Sequence, residues 1–133
     1  MIRDIPSYEN GDGACGPGAL YALLGGDRPA EHRKALRALG WKTPRGLALG
    51  WVRSYLEKLG VAFHIETYKK SERVTVRRWV EENAPAKAML IAGHHWIATE
   101  GGLIVCIIDK IRSFAPLYKK RRLMVRVAVI WDD

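Results

Sequence analysis

The sequence has few cysteines and no long hydrophobic run, internal repeat or low-complexity tract. Its 133 residues include only two cysteines, so a disulfide-stapled secreted scaffold is excluded. No apolar segment approaches the roughly 20 residues that a membrane-spanning helix needs. Residues 1–6 also lack the apolar stretch of a signal peptide. We therefore expect a soluble protein in a reducing compartment, the cytoplasm, with no membrane partner.

Acidic residues are scarce relative to basic ones. The chain has 22 Lys and Arg against 14 Asp and Glu, which gives a formal charge of +8. This surplus is compatible with nucleic acid, an anionic membrane or an acidic protein as a partner, and does not choose among them. Hydrophobic residues make up 48% of the chain, enough for a core at this length. We expect one domain spanning residues 1–133.

The first part of the chain is patterned mainly for helices. Glycine and proline mark most of the boundaries, and the apolar residues between them recur at helical spacing. The predicted helices run from Cys15 to just before Gly25; from Pro29 to Leu39, capped by Asp27; from the cap Thr43 and first position Pro44 to Gly60; and from the cap Thr75 to Asn83.

The second part is patterned for strands. The predicted strands are Val61–Thr67, Ala88–Ala92, His95–Thr99, Leu103–Ile108 and Leu123–Trp131. Helices followed by a run of strands are typical of an α+β fold with a largely antiparallel sheet. Because Leu103–Ile108 is apolar at every position, we expect a strand that is covered on both faces.

Three chemically active residues lie at the ends of these elements. Cys15 begins a helix behind a glycine-rich loop, His95 begins a strand, and Asp109 follows the next strand. A cysteine reacts as its thiolate, which the positive end of a helix and a nearby histidine stabilise. The histidine in turn needs a polar group that holds its ring. The pattern predicts a nucleophile, a base and an orienting residue.

These segments resemble papain-like cysteine peptidases. The resemblance is carried by Asp12–Leu20, Gly93–Ala98 and Ile107–Asp109, in the order Cys, His, Asp. The Asp-Gly-x-Cys segment is similar to ovarian-tumour-type deubiquitinases, and the histidine-to-aspartate spacing is similar to bacteriocin-leader peptidases. The resemblance implies a minimal papain-like fold, with the Cys15 helix packed on the sheet, and a hydrolase that uses no cofactor. Small stand-alone members occur in bacteriophages and bacteria.

The choice between His94 and His95 as base depends on the turn before Leu103. A three-residue connection, Glu100–Gly102, pairs Thr99 with Leu103 and brings Asp109 diagonal to His95. A two-residue Gly101–Gly102 turn brings Asp109 opposite His94 instead. The resemblance, in which the base directly precedes an aromatic or aliphatic strand, favours His95. We predict His95 and keep His94 as the alternative.

Acyl transfer also needs hydrogen-bond donors for the developing oxyanion. The backbone amide of Cys15 can supply one, and a second is required. Papain-like enzymes commonly use a glutamine about six residues before the cysteine, where this chain has Glu9. We expect the second donor from Asn10 or from the backbone around Asp12. The expected substrate is a protein or peptide, and hydrolysis, isopeptide cleavage and transfer to an amine remain open.

Metal binding and nucleic-acid binding are the other functions that the residues suggest. The His94–His95 pair alone is too small for a zinc site, and His32 and His64 are more often solvent-facing or structural residues than ligands. Cys106 is expected to pack in the core. The basic tract Lys119–Arg122, joined by Lys110, Arg112 and Arg126, could contact phosphates. A basic nucleic-acid or protein binding module on an inactive papain-like scaffold is therefore the alternative function.

Overall fold

Three helices precede the first strand, and a further helix separates the first strand from the second, in the computed structural model, which describes residues 2–4, 15–42, 46–105, 112–114 and 122–132. Neighbouring strands are all antiparallel, so the predicted α+β class is confirmed. Within the described ranges, no helix has the length and apolar character needed to cross a membrane. The elements are α1 Cys15–Leu24, α2 Pro29–Leu39, α3 Leu49–Lys58, β1 Phe63–Thr67, a 3₁₀ turn Lys70–Glu72, α4 Val76–Asn83, β2 Ala88–Ala92, β3 His95–Glu100, β4 Leu103–Val105, β5 Arg112–Phe114 and β6 Val125–Trp131. The strands lie in the sheet in the order β1-β6-β2-β3-β4-β5.

The sheet is covered by apolar side chains on both faces. On the α1 face, residues of α1, α2 and α3 pack with Met89, Trp96 and Ala98 of the sheet. On the α4 face, Leu90 and Ile97 pack with residues of α4. This division follows from strand alternation, because successive side chains of β2 and β3 point to opposite faces.

The boundaries of α2 and α4 follow local capping chemistry. Helix α2 has a proline in its first turn and ends at Gly40, whose φ of 119° suits glycine. Helix α4 begins after Thr75, whose hydroxyl accepts a hydrogen bond from the α4 backbone at 3.2 Å, as predicted. The prediction that Asp27 caps α2 is wrong: Arg28 occupies that position, and the Asp27 amide instead donates to the Glu31 carboxylate at 3.1 Å.

Helix α3 begins later than the sequence predicts. Its cap is Ala48 rather than Thr43, and residues 46–48 are not helical. Long-range contacts explain the difference. Leu47 is buried against the start of α1, and its carbonyl accepts a hydrogen bond from the Trp96 indole at 2.7 Å. That contact competes with the helical conformation that Pro44 favours.

The β3–β4 connection has the shorter of the two lengths considered. Glu100 pairs with Leu103 and Thr99 with Ile104, so the predicted pairing of Thr99 with Leu103 is wrong. Gly101 and Gly102 have φ values of 61° and 83°, which a two-residue hairpin turn requires at both central positions. Strand β4 is covered on both faces as far as Val105, as predicted. Residues 106–108 of that predicted strand lie outside the described residues.

Candidate functional site

Cys15 is the first residue of α1. Its thiol is free and its side chain is half-buried. The helix behind it is apolar, and its first turn contains no acidic residue. The unpaired amides of a first helical turn carry partial positive charge, which favours an anion at that end. Cys15 thus has the placement that a reactive thiolate needs.

Cys15 opens onto a cleft of about 450 Å³, which both histidines of the His94–His95 pair also line. This volume lies within the range typical of ligand-binding pockets. The three side chains that sequence reasoning selected for nucleophile and base therefore border one cavity. The cleft is lined by Cys15, Gly46, Leu47, Ala48, Leu49, Ile91, His94, His95, Trp96, Arg126 and Val127.

A contact between three elements fixes the start of α1 against β3. Gly16 lies so close to Leu47 that a Cβ on Gly16 would meet Leu47 Cδ2 at 2.5 Å. The Leu47 carbonyl in turn accepts the hydrogen bond from Trp96 Nε1, and Trp96 is only 3% exposed. Because Cys15 and His95 are the chain neighbours of Gly16 and Trp96, this contact ties the residue before Gly16 to the start of β3.

The β2–β3 turn presents the histidine pair. Ala92 pairs with His95, which leaves Gly93 and His94 as the two turn residues. Gly93 has a φ of 59°, and a Cβ there would meet Leu123 Cδ2 at 3.1 Å. Both facts favour glycine at this position. His94 is exposed and His95 is half-buried.

Strand alternation assigns His95 to one face of the sheet. Trp96 and Ala98 pack on the α1 face, so alternation assigns His95, with Ile97, to the α4 face. His95 lies at the end of β3, where it still lines the cleft. The three-residue connection that the argument for His95 needed is not observed, and the two-residue connection is the one from which the sequence predicts Asp109 opposite His94. Asp109 lies outside the described residues, so the choice between the two histidines stays a prediction.

Arg126 also lines the cleft, a position that the sequence analysis did not assign to it. Ile91 pairs with Val127 and Ala92 with Val125, so Arg126 is the extra residue of a bulge in β6. Its Nη2 donates to the Gly93 carbonyl at 3.0 Å. Bulges occur frequently beside active sites because they redirect a side chain. The sequence gives little indication of the bulge, because the residues around Arg126 alternate as in a regular strand.

Several predicted site residues lie outside the described residues. These are Glu9, Asn10 and Asp12 of the expected oxyanion hole, the expected orienting residue Asp109, the expected core residue Cys106, and Lys119–Arg121 of the basic tract. The last residue of that tract, Arg122, is exposed in a turn. The assignments of these residues stay predictions.

The remaining two histidines lie away from the cleft. His32 is buried, and its Nε2 donates to the Gly25 carbonyl at 2.6 Å while its Nδ1 accepts from the Tyr55 hydroxyl at 2.7 Å. Burial, and then the charge of Glu31, raise the pKa of Tyr55. His64 is exposed and bonds Asp132 at 2.6 Å. Among the described side chains, no group of three His, Cys, Asp or Glu could hold a metal ion.

The cleft can support nucleophilic chemistry on an electrophilic carbon. It combines a thiol, two imidazoles and a guanidinium within one cavity. No protein-family model, curated protein or solved structure matches this chain. The functional argument therefore depends on the chemistry of these residues.

Proposed function

We propose that the protein is a thiol hydrolase, a papain-like cysteine peptidase or isopeptidase, with Cys15 as nucleophile and an imidazole of the His94–His95 pair as base. The observation that carries the proposal is the free Cys15 thiol at a helix start, in one cleft with both imidazoles. The sequence resemblance to papain-like peptidases supports it. So does the packing of α1 against β3, the helix-on-sheet arrangement that the resemblance implies.

The proposed reaction has two halves. The Cys15 thiolate attacks the carbonyl carbon of a peptide or isopeptide bond, and the resulting oxyanion accepts a hydrogen bond from the Cys15 amide and from a second donor near Asn10 or Asp12. The imidazolium transfers its proton to the amine nitrogen, the C–N bond breaks, and a thioester remains. The imidazole then deprotonates a water, which attacks the thioester. The C–S bond breaks, and a carboxylic acid leaves.

Asp109 is proposed to orient the imidazole during both halves. The mechanism requires a reduced thiol, so we place the reaction in the cytoplasm. A protein or peptide is the proposed substrate, and no cofactor takes part in any step.

An alkylation experiment can determine which of the two histidines is the base. The resemblance favours His95, whereas the two-residue β3–β4 turn is the connection from which the sequence predicts His94 opposite Asp109. The rate of Cys15 alkylation by iodoacetamide between pH 5 and 9 reports directly on the thiolate. We expect the rate near neutral pH to fall at least about 10-fold when the base histidine is replaced by alanine.

The matched control is His64→Ala, because His64 is exposed and lies on edge strand β1. His64→Ala should leave the alkylation rate unchanged, and peptide mapping separates labelling of Cys15 from labelling of Cys106. A large effect in only one of His94→Ala and His95→Ala identifies the base. If neither substitution slows alkylation, the proposed thiol–imidazole pair does not exist.

Turnover is tested with a peptide library and with lysine-ε-linked isopeptides. Mass spectrometry should detect new amine and carboxyl termini in one of these pools with the wild-type protein. Cys15→Ser should remove them. Cleavage that persists in Cys15→Ser would contradict the proposed nucleophile.

A further inference from the structure

Arg126 supplies a fixed positive charge to the Cys15 cleft. Of the described residues that line the cleft, it is the only one with a permanent charge, and none is acidic. Its side chain is half-buried, where a charge interacts more strongly than in bulk water. Among the described lining residues, the permanent charge beside the thiol is therefore positive.

The arginine is held in place by its backbone and by one N–H group. The Arg126 carbonyl accepts a hydrogen bond from the Tyr68 amide at 2.9 Å, and its Nη2 donates to the Gly93 carbonyl at 3.0 Å. A guanidinium has five N–H donors. Within the described part of the chain, no carboxylate pairs with it. The described residues thus use one of these five donors.

We propose that Arg126 is a specificity-determining residue that binds a substrate carboxylate close to the bond attacked by Cys15. Guanidinium and carboxylate groups match in geometry and form short charge-assisted hydrogen bonds. The carboxylate belongs either to an Asp or Glu side chain or to a free peptide C-terminus. This inference rests on the proposed thiol function, and it narrows the substrate to peptides with a negative charge near the scissile bond.

The first experiment compares two alkylating reagents that differ in charge. Iodoacetate carries a carboxylate and iodoacetamide does not, and both transfer their carbon to the Cys15 thiolate with loss of iodide. We expect Arg126→Gln to lower the ratio of the iodoacetate rate to the iodoacetamide rate by about 10-fold. Arg126→Lys, which keeps the charge, should lose less, and Arg126→Glu should lose more.

The matched control is Arg53→Gln, because Arg53 is exposed on α3 and borders a different cavity. Its rate ratio should equal that of the wild type. An unchanged ratio in Arg126→Gln overturns the inference, whereas a slow iodoacetamide reaction of the wild-type protein overturns the proposed thiol function. The Lys variant keeps the test valid if the Gln variant fails to fold.

The second experiment identifies the source of the carboxylate. A peptide library cleaved by the wild-type protein should show Asp and Glu enriched about 10-fold at one fixed position from the cut if a side chain is bound. Cuts at a fixed distance from the peptide end, lost after C-terminal amidation, indicate a terminal carboxylate. A cleavage profile that is identical for wild type and Arg126→Gln overturns the inference.

Discussion

Replacing Trp96 by phenylalanine tests the contact that positions Cys15. The change removes the indole N–H that donates to the Leu47 carbonyl at 2.7 Å. Loss of the buried pyrrole portion costs roughly 1 kcal/mol of unfolding free energy. The buried carbonyl left without its donor costs about 1–3 kcal/mol more. We expect Trp96→Phe to destabilise the protein by about 2–4 kcal/mol and to slow alkylation of Cys15, because the Leu47 loop packs on Gly16.

Trp79→Phe is the matched control for this substitution. Trp79 and Trp96 are both 3% exposed, and they lie on opposite faces of the sheet. Trp79 Nε1 donates at 2.9 Å to the hydroxyl of Tyr68, a half-buried residue that keeps a second hydrogen bond to Glu66. Trp79→Phe should cost only about 1–2 kcal/mol and leave the alkylation rate unchanged. Urea unfolding and iodoacetamide kinetics provide the two readouts.

Equal destabilisation in the two tryptophan variants would refute the role of the Leu47 carbonyl. An unchanged alkylation rate in Trp96→Phe would refute the positional link between this contact and Cys15. Unfolding can be followed by fluorescence in both variants, because each keeps four of the five tryptophans.

Three further substitutions test the packing and the electrostatics. Gly16→Ala should destabilise by about 1–2 kcal/mol in urea, because its Cβ would lie 2.5 Å from Leu47 Cδ2; a gain in stability, as helix propensity alone predicts, would contradict the close contact. Thr75→Ala should cost about 1 kcal/mol through loss of the α4 cap, and Thr75→Ser should restore most of it. Burial, and then the hydrogen bond to Glu66, raise the pKa of Tyr68 from 10.0 to about 12. The contribution of this raised pKa to the unfolding free energy is thus fully present below pH 10 and is lost as pH rises toward 12. Tyr68→Phe should therefore reduce the pH dependence of the unfolding free energy over that interval, and an unchanged pH dependence would contradict this.

Much of the fold could be predicted from local signals. Helix α2 and strand β2 have the predicted bounds because proline and glycine mark their ends. The start of α3 and the β3–β4 register could not be predicted in this way. The first depends on Leu47, which contacts Gly16 and Trp96 far away in sequence. The second depends on which residues pair across a Gly-Gly turn, since either connection length accommodates the two glycines.

The site residues that the sequence predicts correctly as cleft residues belong to chemically distinctive types. Cys15 and the histidine pair stand out because few residue types can act as nucleophile or base at neutral pH. Arg126 does not stand out. Regular alternation would place Val125 and Val127 on one sheet face, but the bulge places Val125 on the α4 face and Val127 in the cleft. One inserted residue changes which side chain enters the cavity, and spacing alone does not reveal it.

Helices α1 and α4 pack on opposite faces of the sheet. Glu81 and Glu82 are exposed on the outer side of α4, where they pair with Arg77 and Arg78 of the same helix. A dye, an affinity handle or a surface tether attached at these glutamates therefore lies on the face of the sheet opposite to α1, whose first residue is Cys15. We expect immobilisation through α4 to leave the α1 side of the sheet open to reagents.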